Sequence, residues 1–364
     1  MVSFKNSIIE QDMDYIFNQL NKTELEFFND SEIFVTGGAG FIGHYLVSFF
    51  HRYFDDIGIS KVVVADNFIL GRPTWLENIS EMNKNIIPIQ MDVANAKIDE
   101  ALSNYNINII FHLASIASPS YYRMHPLNTI DANVWGLRHL LDYFSQKGIR
   151  GFLNFSSSEV YGDPDPKFVP TNEEYHGNVA FNGPRACYDE AKRFGETLCY
   201  VFNKEYGMNI TSVRPFNNYG PGMKLNDKRA PPDFASAVLE GRPITIFSNG
   251  DPKRTFCYIA DAVVGYLKAI AYGKFNNFNI GMDKHEISIS DLAKLFADAG
   301  KKIFGYETEI IYHDSNDVDY LKDNPQRRCP DIGKAKELLN FNPTVEVSQG
   351  VKRFLSFLKE EQEI

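Results

Sequence analysis

The chain has 364 residues, 44% of them hydrophobic and 23% charged, a length and balance that suit a large α/β unit with its own core. Its formal net charge of −10 excludes the basic field that general nucleic-acid binding or membrane-surface attachment needs, while leaving room for a few arginines to converge on an anionic ligand. Cys187, Cys199, Cys257 and Cys329 form no CxxC and no zinc-type spacing, so reduced thiols are expected and no metal site.

The first 31 residues stand apart. Ile8, Ile9, Met13, Ile16, Phe17 and Leu20 recur at spacings of three and four, which predicts an amphipathic helix. Thr23 is placed to cap a second short helix. This extension precedes the first strand and is expected to pack outside the core or on a partner subunit. The opening residues lead into charge rather than a signal-type apolar stretch, and no run approaches the length of a membrane span, so the expected compartment is the cytoplasm.

From Glu32 the pattern becomes strand, turn, helix. Ile33–Thr36 reads as a strand and Phe41–Phe54 as a helix. Lys61–Asp66 (KVVVAD) is a β-branched run of the kind buried on both faces of a parallel sheet. Ile86–Met91, Ile107–Leu113, Gly151–Ser157 and Asn209–Pro215 are further apolar runs, separated by helical patterns that include Thr129–Lys147 and Tyr188–Tyr206. Such alternation predicts a doubly wound, mostly parallel Rossmann sheet over 32–215. Residues 216–364 are expected to form a smaller α/β substrate-binding lobe, with some exchange of elements between the two. Asn217–Pro232 is rich in Gly, Pro, Asn and Asp and reads as a long loop. After it come helices near Phe234–Leu239, Asp261–Tyr272, Ser290–Phe304, Ile332–Leu339 and Val347–Leu358, with an extended Ile244–Phe247.

Thr36-Gly37-Gly38-Ala39-Gly40-Phe41-Ile42-Gly43 places Gly37, Gly40 and Gly43 three apart between the first strand and its helix. Glycines there permit a tight turn, let the backbone approach a pyrophosphate and allow close helix–strand packing, while the helix N-terminus offers free N–H groups to phosphate. Asp66 closes the next strand, where an acid accepts hydrogen bonds from ribose hydroxyls and repels a 2′-phosphate. The cofactor expected is NAD. Tyr188 and Lys192 lie at i and i+4 on one helix face. A lysine charge lowers a phenol's pKa from about 10, and such a group takes the proton from a substrate hydroxyl as hydride leaves. Ser156-Ser157-Ser158 ends a strand nearby in sequence, and a serine hydroxyl there shares that proton.

These motifs, with HLAS at His112–Ser115, NVWGL at Asn133–Leu137, SSSEVYG at Ser156–Gly162 and PFNNYGP at Pro215–Pro221, resemble the extended short-chain dehydrogenase/reductases that modify nucleotide sugars, over roughly 32–358. The resemblance implies an NAD site of Gly37, Gly40, Phe41, Ile42, Gly43, Asp66, Asn67, Asp92, Val93, Leu113, Ala114, Ser115, Asn133, Tyr188, Lys192 and Pro215. Within that family GPRACYDE at Gly183–Glu190, NDKR at Asn226–Arg229, RTF at Arg254–Phe256 and NPQRRCPD at Asn324–Asp331 are most similar to the UDP-glucuronate decarboxylases. That likeness implies a nucleotide-sugar site of Tyr122, Ser158, Glu159, Asn217, Arg229, Arg254 and Arg328, with the arginine forks suited to phosphate oxygens. It departs from those enzymes in Ser157, where they usually carry threonine, and in the second asparagine of PFNNYGP.

The implied reaction is transient oxidation at C4 of the sugar, with catalytic Tyr188, Lys192, Ser157, Glu159 and Arg328. A 4-keto group makes a C6 carboxylate a β-keto acid that loses carbon dioxide; with a C6 hydroxymethyl group, loss of the C5 proton and of water follows instead. Glu159 matches the glutamate beside the departing carboxylate in decarboxylases and the C5 base in 4,6-dehydratases, whereas simple 4-epimerases generally lack an acid there. Arg328 matches the arginine facing the sugar carboxylate, with Arg327 beside it leaving open which points inward. The expectation is a UDP-glucuronate decarboxylase, with a nucleotide-hexose 4,6-dehydratase next, then a 4-epimerase or C4 dehydrogenase, and a non-catalytic NAD-sensing scaffold last. The family further implies a homodimer built by Thr129–Lys147 and Tyr188–Tyr206 as a four-helix bundle.

Overall fold

The computed structural model describes residues 6–314 and 325–363. Asn324, the first residue of the NPQRRCPD motif, lies outside the described residues, as does the start of the chain through Lys5.

Seven parallel strands form the main sheet: β1 Glu32–Thr36, β2 Lys61–Asp66, β3 Ile86–Gln90, β4 Ile107–His112, β5 Gly151–Phe155, β6 Ile210–Pro215 and β7 Asn276–Ile280. Their spatial order is β3-β2-β1-β4-β5-β6-β7, the doubly wound arrangement expected. Val62, Val63 and Val64 of β2 are all fully buried, which is why that strand tolerates no alternation of polar residues. The order reverses between β1 and β4, and in such sheets the crevice at the carboxyl ends of those strands is where a ligand fits. The glycine turn after β1 opens into that crevice.

β7 is the element that the sequence pattern hides. Asn276-Asn277-Phe278-Asn279-Ile280 has too few apolar residues to read as a strand, yet it pairs with β6 along its whole length. Its asparagines are used rather than exposed: Asn279 is fully buried and donates from Nδ2 to the carbonyls of Thr171 and Asp331, while accepting from Tyr161 Oη at 2.7 Å. The stretch read as loop, Asn217–Pro232, is also shorter than expected. Asn218–Tyr219 pairs in parallel with Cys257–Tyr258, and a helix begins at Ala230, with two prolines in its first turn where no N–H partner is lost.

The N-terminal extension belongs to the core, not outside it. Its helix, α1 Ser7–Gln19, packs on α2 Phe41–Arg52, α3 Ile259–Ala271 and α4 Val347–Glu363. Met13 and Ile16 are fully buried in the larger of the two core clusters. The cause lies in α3, which is buried at every position from Ile259 to Ile270 and therefore needs cover on its outer side as well as its sheet side. Polar stitching completes the docking: Asp12, itself buried, accepts from Tyr45 at 2.8 Å and Tyr258 at 2.6 Å and pairs with Arg353 at 2.7 Å. The second short helix is capped by Asn21 rather than Thr23, in a reciprocal box with Glu24.

Candidate active site

A cavity of about 710 Å³ runs along the carboxyl ends of β1, β2, β4, β5 and β6. Its cofactor end is made by close backbone approach. Gly37 has φ +66°, and a Cβ there would lie 2.7 Å from Ala114 Cα; a Cβ on Gly43 would lie 2.3 Å from the carbonyl oxygen of Gly38. Gly40 precedes α2 with no side chain capping it, which leaves the first N–H groups of the helix facing the cavity. Asp66 is fixed beside the turn, accepting from the Ala39 N–H at 3.0 Å and the Phe68 N–H at 2.8 Å. Burial raises its pKa, with those two N–H groups working against the rise. A diphosphate on the helix end and ribose hydroxyls on Asp66 fit these groups.

Deeper in, β5 ends at Phe155 and the following serines turn into the cavity. Tyr188 and Lys192 are both buried on one face of α5 Ala186–Tyr206. Lys192 Nζ donates to the Phe155 carbonyl at 2.6 Å and lies 5.7 Å from the centroid of the Tyr188 ring. Ser157 Oγ accepts from the Glu159 N–H at 3.2 Å, and its hydroxyl acts on Tyr188 to lower the phenol's pKa. The expected lowering of the tyrosine by the lysine is absent from this ligand-free arrangement. Burial pushes Tyr188 up to about 12 against the Ser157 hydrogen bond, and burial pulls Lys192 itself down to about 7, weakening the charge that would have acted on the phenol. The Tyr122 ring stacks on Tyr188 at 5.1 Å and 10°.

The other end of the cavity is a buried ion cluster. Arg328 engages Glu159 with both terminal nitrogens, one contact being Nη2 to Oε2 at 2.8 Å. Arg185 Nη2 approaches the same carboxylate at 2.6 Å. Burial alone would raise Glu159, but Arg328 and then Arg185 outweigh it and hold the carboxyl well below the usual range. Which of the paired arginines points inward is settled by strand alternation. Arg327–Arg328 pairs in parallel with Lys253–Arg254, so Arg328 and Arg254 share one face, while Arg327 turns the other way to Glu286 at 2.8 Å. Arg254 donates to the carbonyls of Lys253, Gln326 and Pro325. Arg229 is held bidentately by Asp227, and Asn217 donates to the Thr255 carbonyl at 2.9 Å.

Every site residue expected from the sequence lines this cavity except Asn133. Asp131–Gly136 is a π-helical turn, and the extra residue per turn rotates its faces away from a 3.6-residue reading. Asn133 is buried and donates back to the Thr129 carbonyl at 2.7 Å, while Asn128, Asp131 and Ala132 take the cavity face. Arg185 and Asp189 are functional candidates that the sequence reading passed over. Both fall within one turn of Tyr188, and that spacing was the signal available.

The glycine cradle, the buried Tyr–Lys pair and the doubly wound sheet define a dinucleotide-dependent enzyme of the short-chain dehydrogenase/reductase type. The chain matches the NAD dependent epimerase/dehydratase family over residues 33–281 and belongs to it. NAD is its cofactor, and the turn and Asp66 fit that molecule. It is 35% identical over 340 residues to UDP-glucuronic acid decarboxylase 1 of Xenopus tropicalis, covering 91% of this chain and 73% of that protein. It is also 35% identical to UDP-glucuronic acid decarboxylase 6 of Arabidopsis thaliana, covering 89% and 88%. Among solved structures it is similar to UDP-glucose 4-epimerase from Thermotoga maritima with UDP-glucose, at TM-score 0.78, 27% identity and coverage of 91% and 99%. It is likewise similar to UDP-glucuronic acid 4-epimerase from Bacillus cereus in complex with UDP-glucuronic acid and NAD, at TM-score 0.72, 27% identity and the same coverage.

Proposed function

We propose that the chain is a UDP-glucuronate decarboxylase, making UDP-xylose or its 4-keto precursor. The observation that carries this reading is the Arg328–Glu159–Arg185 cluster beside Tyr188. A carboxylate pinned by two guanidiniums is a poor base for a C5 proton, which counts against a 4,6-dehydratase. The same cluster offers a cationic fork for a C6 carboxylate.

NAD, when bound, supplies the acceptor for the C4 hydride and later its donor. Tyr188 takes the proton of the sugar 4-hydroxyl, with Ser157 sharing it, and returns it on re-reduction. Lys192 orients the cofactor and adds charge beside the phenol. Once C4 is a ketone, the C5–C6 bond breaks, carbon dioxide leaves, and its electron pair enters an enolate whose oxygen the Tyr188 hydroxyl holds; a proton from water then adds to C5 and restores the ketone before hydride returns to C4. Arg328 orients the carboxylate for that step, and Arg229, Arg254 and Asn217 hold the nucleotide diphosphate.

The test is incubation of purified protein with UDP-glucuronate and NAD. Carbon dioxide and a UDP-pentose are expected; their absence, with a 4-keto-6-deoxy sugar formed from a UDP-hexose, would establish the dehydratase instead. The chain further works as a homodimer in the cytoplasm, and its product serves polysaccharide synthesis. Support for the dimer lies in an exposed apolar stripe. Leu127 and Trp135 on the segment Pro126–Phe144, with Phe194 and Val201 on α5, are all between 43% and 73% exposed.

A further inference from the structure

Two guanidiniums serve one carboxylate in the ligand-free site. Arg328 and Arg185 both contact Glu159, and the side chains of both arginines are less than a tenth exposed. Glu159 balances only one of these two buried cations, and Asp189 is the other carboxyl within ion-pair reach of Arg185. Around Arg185 three further polar atoms are buried without a hydrogen-bond partner: its own Nε, Asp189 Oδ1 and Tyr122 Oη. Asp189 Oδ2 stands 3.6 Å from that Nε, and the Tyr122 ring lies 5.9 Å beneath the guanidinium. Arg185 and Tyr122 line the cavity, whereas Asp189 sits behind them.

A second carboxylate entering beside Glu159 creates the like-charge problem of two acids in one site, in which one of them takes up a proton. If Arg328 alone served both, its transfer to the substrate would leave Glu159 buried and unpaired. We propose that Arg185 is a positioning residue for Glu159, the counter-ion that stays on its carboxylate when a substrate carboxylate draws Arg328 away. This rests on the decarboxylase reading above and names the residue that makes room for the acid. Arg185 comes from the helix that carries Tyr188, so Glu159 keeps its place relative to the reacting hydroxyl while Arg328, on a separate strand, moves. A fixed anion beside the departing carboxylate also favours its loss as neutral carbon dioxide.

The charged and titratable groups facing Glu159 are Arg328, Arg185, Asp189, Tyr122, Tyr188 and Arg254. Of these Asp189 has its carboxyl pushed up by burial and by Glu159, so a pH effect must be separated from it. Calorimetric titration of the NAD-bound Tyr188→Phe protein with UDP-glucuronate, in buffers of different ionisation enthalpy, reads proton uptake without turnover. Adding Arg185→Gln should increase uptake by about one proton at pH 7. Arg185→Lys should bring uptake back toward the parent, Asp189→Asn should leave the increment in place, and Glu159→Gln should remove it. In the turnover assay, Arg185→Gln should lower kcat roughly 10- to 100-fold and move the acid limb of its pH profile upward by about one unit. Equal proton uptake with and without Arg185, or an increment that survives Glu159→Gln, would overturn the assignment. No carbon dioxide from the unsubstituted protein would sink the decarboxylase reading alone, since the proton measurement does not depend on turnover.

Discussion

Burial disfavours the charge on Lys192, at a cost to the fold. Its pKa of about 7 lies far below the free value near 10.4, so the unfolded chain binds more protons across that interval. Stability of the ligand-free protein should accordingly rise with pH from about 7 toward about 10, to the extent that this group governs it. Replacing it with methionine keeps the length of the side chain and removes the buried charge, at the cost of the hydrogen bond to the Phe155 carbonyl. Lys192→Met should unfold at the same temperature as the parent or a few degrees higher, with a flatter response to pH over that interval, while turnover falls by about 100-fold or more. A loss of stability together with activity, seen in thermal melts across pH 6.5–9.5, would mean that the lysine supports the fold rather than the chemistry. Tyr188→Phe keeps the Tyr122 stack and removes only the hydroxyl. It should retain NAD binding, followed by titration, and lose turnover by roughly 100-fold or more.

Among the elements, α1 shows how far pattern carries and where it stops. Its periodicity identified the helix and its buried face correctly, because spacing of three and four is a property of the helix itself. Where that face docks depends on α3, whose sequence IADAVVGYLKAIA is apolar all round and asks for a cover that nothing in the leader advertises. Met13→Ala should therefore cost about 2–5 kcal/mol, as a core truncation does, and not the few tenths expected of a surface arm; denaturant melts decide between the two. The same distinction runs through the site. The glycine turn, Asp66 and the Tyr188–Lys192 pair were legible because local spacing defines their geometry. Asn133 was misplaced because a π-helical turn changes the period, and β7 was missed because its buried asparagines are satisfied by partners distant in sequence. Arg185 was passed over because its role comes from meeting Glu159, which sits on a different element.

For the whole molecule, the proposed dimer would tie the outer face of α5 to the candidate active site. Tyr188 and Lys192 point inward from the same helix that presents Phe194, 50% exposed, and Val201, 43% exposed, to the outside. Trp135, 55% exposed, stands on the neighbouring segment that packs against α5. Exposed apolar side chains on two packed helical segments, one of which also carries the Arg138–Asp142 pair, suit a second copy of the same surface better than water. In the proposed dimer, two such faces related by a twofold axis would make a four-helix bundle in which each copy buries the other's Phe194. Phe194→Glu places a carboxylate in that seam on both sides, so like charges face each other across the axis. Sedimentation should give a monomer for Phe194→Glu where the parent sediments as a dimer. The monomer should keep its fold, since Phe194 contributes little to its own core, but the helix behind Tyr188 and Lys192 loses its outer support. Turnover should fall by several-fold, with NAD affinity weakened in step as Lys192 loses its fixed position. A Phe194→Glu protein that still sediments as the parent does would move the interface to another face of the molecule.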